Sequence, residues 1–386
     1  MRFIHTSDWH LGRLFHGKHL TEDQAYILEQ FLDLVAEVKP TAIIIAGDIY
    51  DRAVPPIEAV ELLDNIISQI LLKYNVPIIM IAGNHDSSER LGFASKILAN
   101  HGLHVYGNLT SDVEPVILED EAGPVYFVPF TYAEPALVRA LYQNEQLVSH
   151  ELCMQFLVEQ ALAKVPAGVR KVAIAHGFIA GSLESESERP LSVGGSSNIG
   201  SDVFKEFNYT ALGHLHNSQT AGKNNIRYSG SLLKYSFDEY AQEKGINIVD
   251  LTIDGEVKIS KRSLKPRYDV QKIRGKFAEI LHDDIKFPCS EDYMAVIIED
   301  DMPILDVHGQ LEKKYPNLMQ VERLNLLQGE MVKSQEDYRN KSEKELFATF
   351  FEQMTGSKLA QEESQELNIT LEELLAHERE AKIGNH

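Results

Sequence analysis

The sequence predicts an α/β protein, and three observations carry that reading. Short apolar runs alternate with amphipathic segments as far as Leu212, the pattern of helices packed on a sheet. Past Gly222 the chain turns β-rich. Its apolar runs repeatedly end in Asp, Asn or His, so polar groups are delivered at strand ends.

The elements follow in order. Arg2–Thr6 reads as a strand. Thr21 opens a helix, with Gln24 completing a capping box, and Ile27, Phe31, Leu34, Val35 and Val38 recur at helical spacing before Pro40. Ala42–Ala46 is a buried strand. Pro55 and Pro56 open a helix whose inner face is Leu62, Leu63, Ile66, Ile67 and Ile70. Pro77–Ala82 is a further buried strand, and Leu91–Ala99 is expected as a helix. Strands continue at Val125–Val128, Val172–Ala175 and Thr210–Leu212, with one long helix expected over Pro135–Ala163. Arg227–Ser229 and the runs Ile246–Ile253 and Val257–Leu264 are strands, the last two joined by an Asp254-Gly255 hairpin turn.

At 386 residues the chain has room for about two to three domains. A boundary is expected near Lys265-Pro266, giving residues 1–265 as the main domain, 266–328 as a small α+β unit and 329–386 as a linker and helical tail. The small unit should hold a strand at Met294–Ile298 and a helix near Leu305–Tyr315. In the tail, Ser342 and Glu345 form a capping box before Leu346, Phe347, Phe350, Phe351 and Met354, which share one helical face.

Only Cys153 and Cys289 occur, without a CxxC pair, which disfavours a disulfide framework or a thiolate zinc site and fits a reducing cytoplasm. The opening MRFIHTSDWH lacks the apolar core of a signal peptide, and no run approaches the ~20 residues of a membrane span. A net charge of −21 argues against nucleic-acid binding on its own. Bound metals would offset part of it, and Lys258, Lys261, Arg262, Lys265, Arg267, Lys272, Arg274 and Lys276 crowd one stretch. For that stretch alone, a solvated face is the expectation.

The chemistry lies in five strand ends: Asp8 and His10, then Asp48, then Asn84-His85-Asp86, then His176, then His214 and His216. Asp, Asn and His without thiolate suit manganese, iron or zinc pairs better than calcium. Glycine before Asp48, Asn84 and His214 is expected to let the backbone turn tightly at each ligand. DxH, GD or HxH alone would be weak evidence; all five in this order are hard to explain as structural residues.

In this order, DxH, GDxxDR, GNHD, H and GHxH resemble the calcineurin-like metallophosphoesterase superfamily, over Asp8 to His216. The opening IHTSDWHLG, the run Ser187–Gly195 and the run Tyr228–Phe237 are similar to the bacterial SbcD nuclease family. The resemblance implies a two-sheet sandwich flanked by helices, a small capping domain that meets DNA, and a helical tail. It implies two divalent metal ions, manganese the expected one. Asp48 would bridge them, with Asp8, His10 and His216 at one and Asn84, His176 and His214 at the other. His85 would be free to act on the leaving oxygen or on charge at phosphorus, with Asp51 orienting it.

The resemblance further implies exonuclease action on DNA ends and endonuclease action on single strands and hairpins. It implies a tail that holds the coiled coil of an SbcC-type ATPase, and a homodimer formed through the nuclease domain. Helical segments near Gln24–Phe31 or Glu58–Asn65 are candidates for that dimer interface. No Walker A pattern occurs, so ATP dependence would come from the partner. A phosphatase or cyclic-nucleotide phosphodiesterase on the same site is the competing expectation. A capping domain and a partner-binding tail disfavour it.

Overall fold

The structure is a computed structural model describing residues 1–191, 197–300, 302 and 304–323, with isolated tail positions 347, 348, 351, 360 and 364. The chain divides into two compact units, Met1–Val270 and Gln271–His386.

The first unit is built on two six-stranded sheets. In the first, Arg2–Thr6, Ala42–Ala46, Ile78–Ile81 and Leu103–Tyr106 run parallel, and Gly245–Leu251 and Val257–Ser263 extend it antiparallel beside Arg2–Thr6. In the second, Gly123–Phe130, Arg170–His176, Tyr209–Gly213 and Lys223–Tyr228 run parallel. Val116–Asp120 and Thr220–Ala221 close its edges antiparallel.

The central strands are buried at nearly every position, as strands covered on both faces must be. Phe3, Ile44, Ile79 and Val249 of the first sheet pack against Phe127, Val172, Ile174 and Tyr209 of the second in one core. The two sheets thus form the sandwich expected from the sequence. On the outer side of the second sheet, Val128, Ala173 and Leu212 meet Val138, Cys153, Met154 and Leu157 from the helices.

Several elements depart from expectation. The helix Thr21–Val38 forms, but Leu20 is its N-cap and no side chain caps it. Gln24 is buried and turned towards the loop at Trp9–Gly12. The expected helix over Pro135–Ala163 is two, Pro135–Tyr142 and His150–Leu162. Gln143 ends the first in a left-handed conformation, and the Ser149 hydroxyl caps the second by accepting from Leu152 N–H. The expected Leu91–Ala99 helix is replaced by the short turns Ser88–Leu91 and Ser95–Leu98, since Ala94 between them has φ +59°.

The second unit holds a three-stranded sheet in the order Val270–Gly275, Tyr293–Ile298, Leu318–Arg323. The helices Phe277–His282 and Val307–Glu312 bury Phe277, Ile280 and Leu311 in its core with Phe287, Val296 and Tyr315. The helix expected near Leu305–Tyr315 is thus shorter, starting after Asp306, whose carboxylate accepts from Gly309 N–H. Leu346, Phe350 and Met354 lie outside the described residues, so the expected tail helix does too. Among the described residues, no helix is long and apolar enough to cross a membrane.

Candidate metal centre

Parallel strands from both sheets deliver their carboxyl ends to one place. Arg2–Thr6 leads to Asp8 and His10, Ala42–Ala46 to Asp48, Ile78–Ile81 to Asn84, Arg170–His176 ends on His176, and Tyr209–Gly213 leads to His214 and His216. Asp8, His10 and His216 form one cluster with ligand atoms within 4.8 Å of one another; Asp48, His176 and His214 form a second. Asn84 Oδ1 lies 2.9 Å from His176 Nε2 and 3.2 Å from His214 Nδ1, joining the second. Asp48 Oδ2 stands between them, 3.6 Å from His10 Nε2 and 3.5 Å from His176 Nε2.

The backbone here is held in unfavourable geometry. Asp8, His10, Asp48 and His214 all have positive φ, at 53°, 45°, 51° and 107°. Main-chain bonds hold the first two: Asp8 N–H donates to Gly47 O and His10 N–H to Asp48 O, both at 3.0 Å. Of the three flanking glycines, only Gly47 serves as a left-handed turn, at φ +90°. Gly83 and Gly213 serve close approach instead. A Cβ on Gly83 would overlap the Asp48 carboxylate, and one on Gly213 would overlap Ala46 O.

The donor set fits the metals it would hold. His10 Nε2 and His216 Nε2 face each other at 3.0 Å, and both rings are buried. Two imidazole nitrogens converging beside the Asp8 and Asp48 carboxylates form a donor set for a divalent cation. His176 Nδ1 donates to Ala46 O at 2.9 Å, which turns Nε2 towards the site. The residues fit two cations.

Charge is distributed accordingly. Burial lowers the His214 ring to about 3 and holds the His10 ring well below its usual value, so both are neutral donors. Burial opposes ionisation of Asp48, yet His176 beside it holds that carboxylate well below the usual range. His176 itself is raised to about 9, because Asp48 outweighs burial; cation binding must therefore displace its proton. Burial raises Asp8 to about 6.

His85 Nδ1 lies 2.8 Å from the main-chain oxygen of Asp51. The acid side chain was expected to orient this ring; instead the backbone carbonyl meets it. The Asp51 carboxylate accepts from Arg13 Nη1 at 2.8 Å. Burial lowers the His85 ring below its usual value.

Other residues here escaped the sequence reading. Asp86 accepts from Ile49, Tyr50 and Gly83 N–H at 2.9–3.1 Å, tying two ligand loops together. Its place in the Asn84-His85-Asp86 string was the only signal. Gln24 accepts from Gly12 N–H at 3.0 Å and donates to His10 O at 2.7 Å. Tyr235 donates to Trp9 O at 2.6 Å. Ser7 donates to Asp8 at 2.5 Å and contacts Ser229 at 2.7 Å. Tyr235 and Ser229 fall in the Tyr228–Phe237 run, where the sequence marked a resemblance without a role. Trp9 is fully buried, its Nε1 donating to Thr6 Oγ1 at 2.9 Å and its ring edge-on to Phe31. In the basic stretch, Arg262 pairs with Glu37 and Arg267 with Glu22, so part of its charge is neutralised within the protein.

Known proteins resemble this chain at three levels. A family described as calcineurin-like phosphoesterase matches residues 1–218, and one described as type 5 capsule protein repressor C-terminal domain matches residues 266–355. A Staphylococcus epidermidis protein, named as the D subunit of nuclease SbcCD, is 31% identical over 378 residues, covering 98% of this chain and 100% of that one. Among solved structures, TT1561 of Thermus thermophilus aligns at 13% identity and TM-score 0.38, covering 67% of this chain and 98% of its own. A Danio rerio dimetal phosphatase aligns at 11% identity and TM-score 0.39, covering 69% and 96%.

Proposed function

This chain belongs to the calcineurin-like phosphoesterase family and, within it, with the D subunits of SbcCD nucleases, and we propose that it is the nuclease subunit of such a complex, hydrolysing DNA phosphodiester bonds. The proposed activities are double-strand exonuclease, single-strand endonuclease and hairpin opening, serving DNA repair, recombination and replication. The observation that carries the reading is Asp48 placed between two His/Asp clusters, in a chain similar to a named nuclease over 98% of its length.

Two divalent cations, manganese the proposed ion, would be held by Asp8, His10 and His216 on one side and Asn84, His176 and His214 on the other, with Asp48 shared. When bound, they supply Lewis-acid charge to the phosphate and to the attacking water. The chain's own groups do the rest. A carbonyl oxygen can only accept, so the bond to Asp51 O puts a proton on His85 Nδ1 and turns Nε2 towards the site. With a second proton taken up from solvent at Nε2, His85 donates to the phosphate oxygens and passes that proton to the leaving 3′ oxygen. Asp51 holds the ring through its main chain, and Arg13 anchors Asp51. The His85 N–H donates to Asp48 Oδ1 at 2.9 Å, so the ring is registered to the shared carboxylate.

The region 329–386 is proposed to bind the coiled coil of an SbcC-type ATPase, and the nuclease domain to form a homodimer. Gln24, Ile27, Leu28 and Phe31 are buried in their own core. Tyr26 of the same helix is exposed, as are Ile57 and Val60 around Glu58–Asn65, so either segment is proposed as the dimer surface. The proposed location is the cytoplasm.

The test is purified protein with manganese, offered hairpin DNA, linear duplex and p-nitrophenyl esters, with and without the ATPase partner. Cleavage of DNA is expected. Ester cleavage with no DNA cleavage in any combination would replace the nuclease by a phosphatase.

A further inference from the structure

His216 is gripped unlike any other residue of the metal centre. Its Nε2 faces His10. Its Nδ1 lies 2.6 Å from Ser187 Oγ and 3.4 Å from Glu239 Oε1. Ser187 Oγ in turn donates to Glu239. A hydroxyl that gives its proton to a carboxylate must accept from the ring, so Nδ1 carries the hydrogen and Nε2 the lone pair. Glu239 is fully buried and takes 2.6 Å from Lys244 Nζ, itself 7% exposed. Lys244 Nζ then returns to His216 O at 2.8 Å, closing the circuit. By contrast, the outward nitrogen of His176 meets a main-chain oxygen, and His10 Nδ1 stands 3.6 Å from the Asp51 carboxylate without a hydrogen bond among the described residues.

We infer that Ser187, Glu239 and Lys244 form a positioning relay that fixes the ring orientation and tautomer of His216, and so sets the affinity of the Asp8–His10–His216 cation position separately from the other. The inference rests on the two-cation reading above. Its physical content is that an outer carboxylate makes an imidazole a better donor by holding the far nitrogen's proton. The charge of Glu239 requires Lys244, since an unpaired carboxylate at full burial is unfavourable. The relay joins two segments far apart in sequence, neither of which supplies a ligand.

Two measurements on the full chain test this. The first needs no metal: in histidine-labelled protein, the His216 Nδ1–H proton should give a sheltered downfield NMR signal that Ser187→Ala removes and Ser187→Thr keeps. The second titrates manganese chloride alone, counting bound ion by EPR. Wild type should bind two equivalents. Ser187→Ala should weaken one of them about 10–100-fold and leave the other within about twofold, with Ser187→Thr close to wild type. Glu239→Gln should reproduce the selective loss. Ser187 is partly exposed, so the Ala variant should keep its fold, checked by its melting temperature. Equal weakening of both equivalents, no weakening, or an unchanged NMR signal would overturn the relay. A wild type that shows the NMR signal but binds no manganese would overturn the two-cation reading, and the assigned effect on affinity with it.

Discussion

Gln24→Leu isolates a contact that no sequence rule anticipates. The Gln24 side chain accepts from Gly12 N–H and donates to His10 O, at 3.0 and 2.7 Å, inside a buried loop. Leucine fills a similar volume and removes both bonds. Trp9 O keeps Tyr235 as a donor and His10 O keeps Arg13 N–H, so among the described residues Gly12 N–H alone is left without a partner. Each buried unsatisfied group costs about 1–3 kcal/mol, and burying leucine in place of an amide offsets part of this. A net loss of about 2 kcal/mol is expected. Unfolding entropy of about 2.1 cal/mol/K per residue, applied to the first unit, Met1–Val270, converts this to a fall in Tm of about 3–4 °C. Because His10 moves with its loop, kcat should drop about 10–100-fold while DNA affinity holds. Differential scanning calorimetry and steady-state cleavage read the two effects. A Tm within about 1 °C of wild type would refute the claim that Gln24 satisfies this loop.

Four further outcomes are expected. His85→Ala should keep two manganese equivalents and DNA affinity while turnover falls about 10²–10⁴-fold; full turnover would remove His85 from the chemistry. Gly83→Ala should lose at least one cation, because its Cβ overlaps the Asp48 carboxylate; calorimetric titration showing two intact equivalents would contradict this. Lys244→Met should destabilise the protein by about 3–5 kcal/mol by leaving Glu239 buried and unpaired, with Lys244→Met/Glu239→Gln recovering part in thermal melts. Hydrogen bonds from Arg170 hold the Asp120 carboxyl below the usual range, against burial. A depressed folded value contributes stability above the unfolded value of about 3.9 and loses it as pH falls towards the folded one. The Tm gap between wild type and Asp120→Asn should therefore be constant near neutrality and shrink below about pH 4.

What the sequence discloses depends on how local the cause is. Strands such as Ala42–Ala46 announce themselves by composition, and the residues after them by position, so the convergence of Asp8, Asp48, His176 and His216 is legible in the residue order alone. Gln24 was misread because Thr21 and Gln24 satisfy a local capping pattern, whereas its real partners lie a dozen or more residues back in the folded loop. The break in the helix after Tyr142 turns on one left-handed residue, Gln143, of a type that does not advertise that conformation. The contact from Asp51 to His85 uses a main-chain atom, which a reading of side-chain chemistry cannot see. The Ser187–Glu239–Lys244 circuit joins segments 52 residues apart, which no local pattern relates.

The positive φ angles at Asp8, His10, Asp48 and His214 bear on whether this centre can be moved. Each such residue sits about 1–3 kcal/mol above its relaxed conformation, and the surrounding sheets hold it there. A peptide carrying the Arg2–Leu11 segment, or a foreign scaffold grafted with the ligand loops, would relax those angles and scatter the donors. The centre is therefore not a transplantable cassette. Its short strings are inseparable from the sandwich that bends them, and redesign of its specificity has more freedom in the residues that approach the site from outside than in the loops that make it.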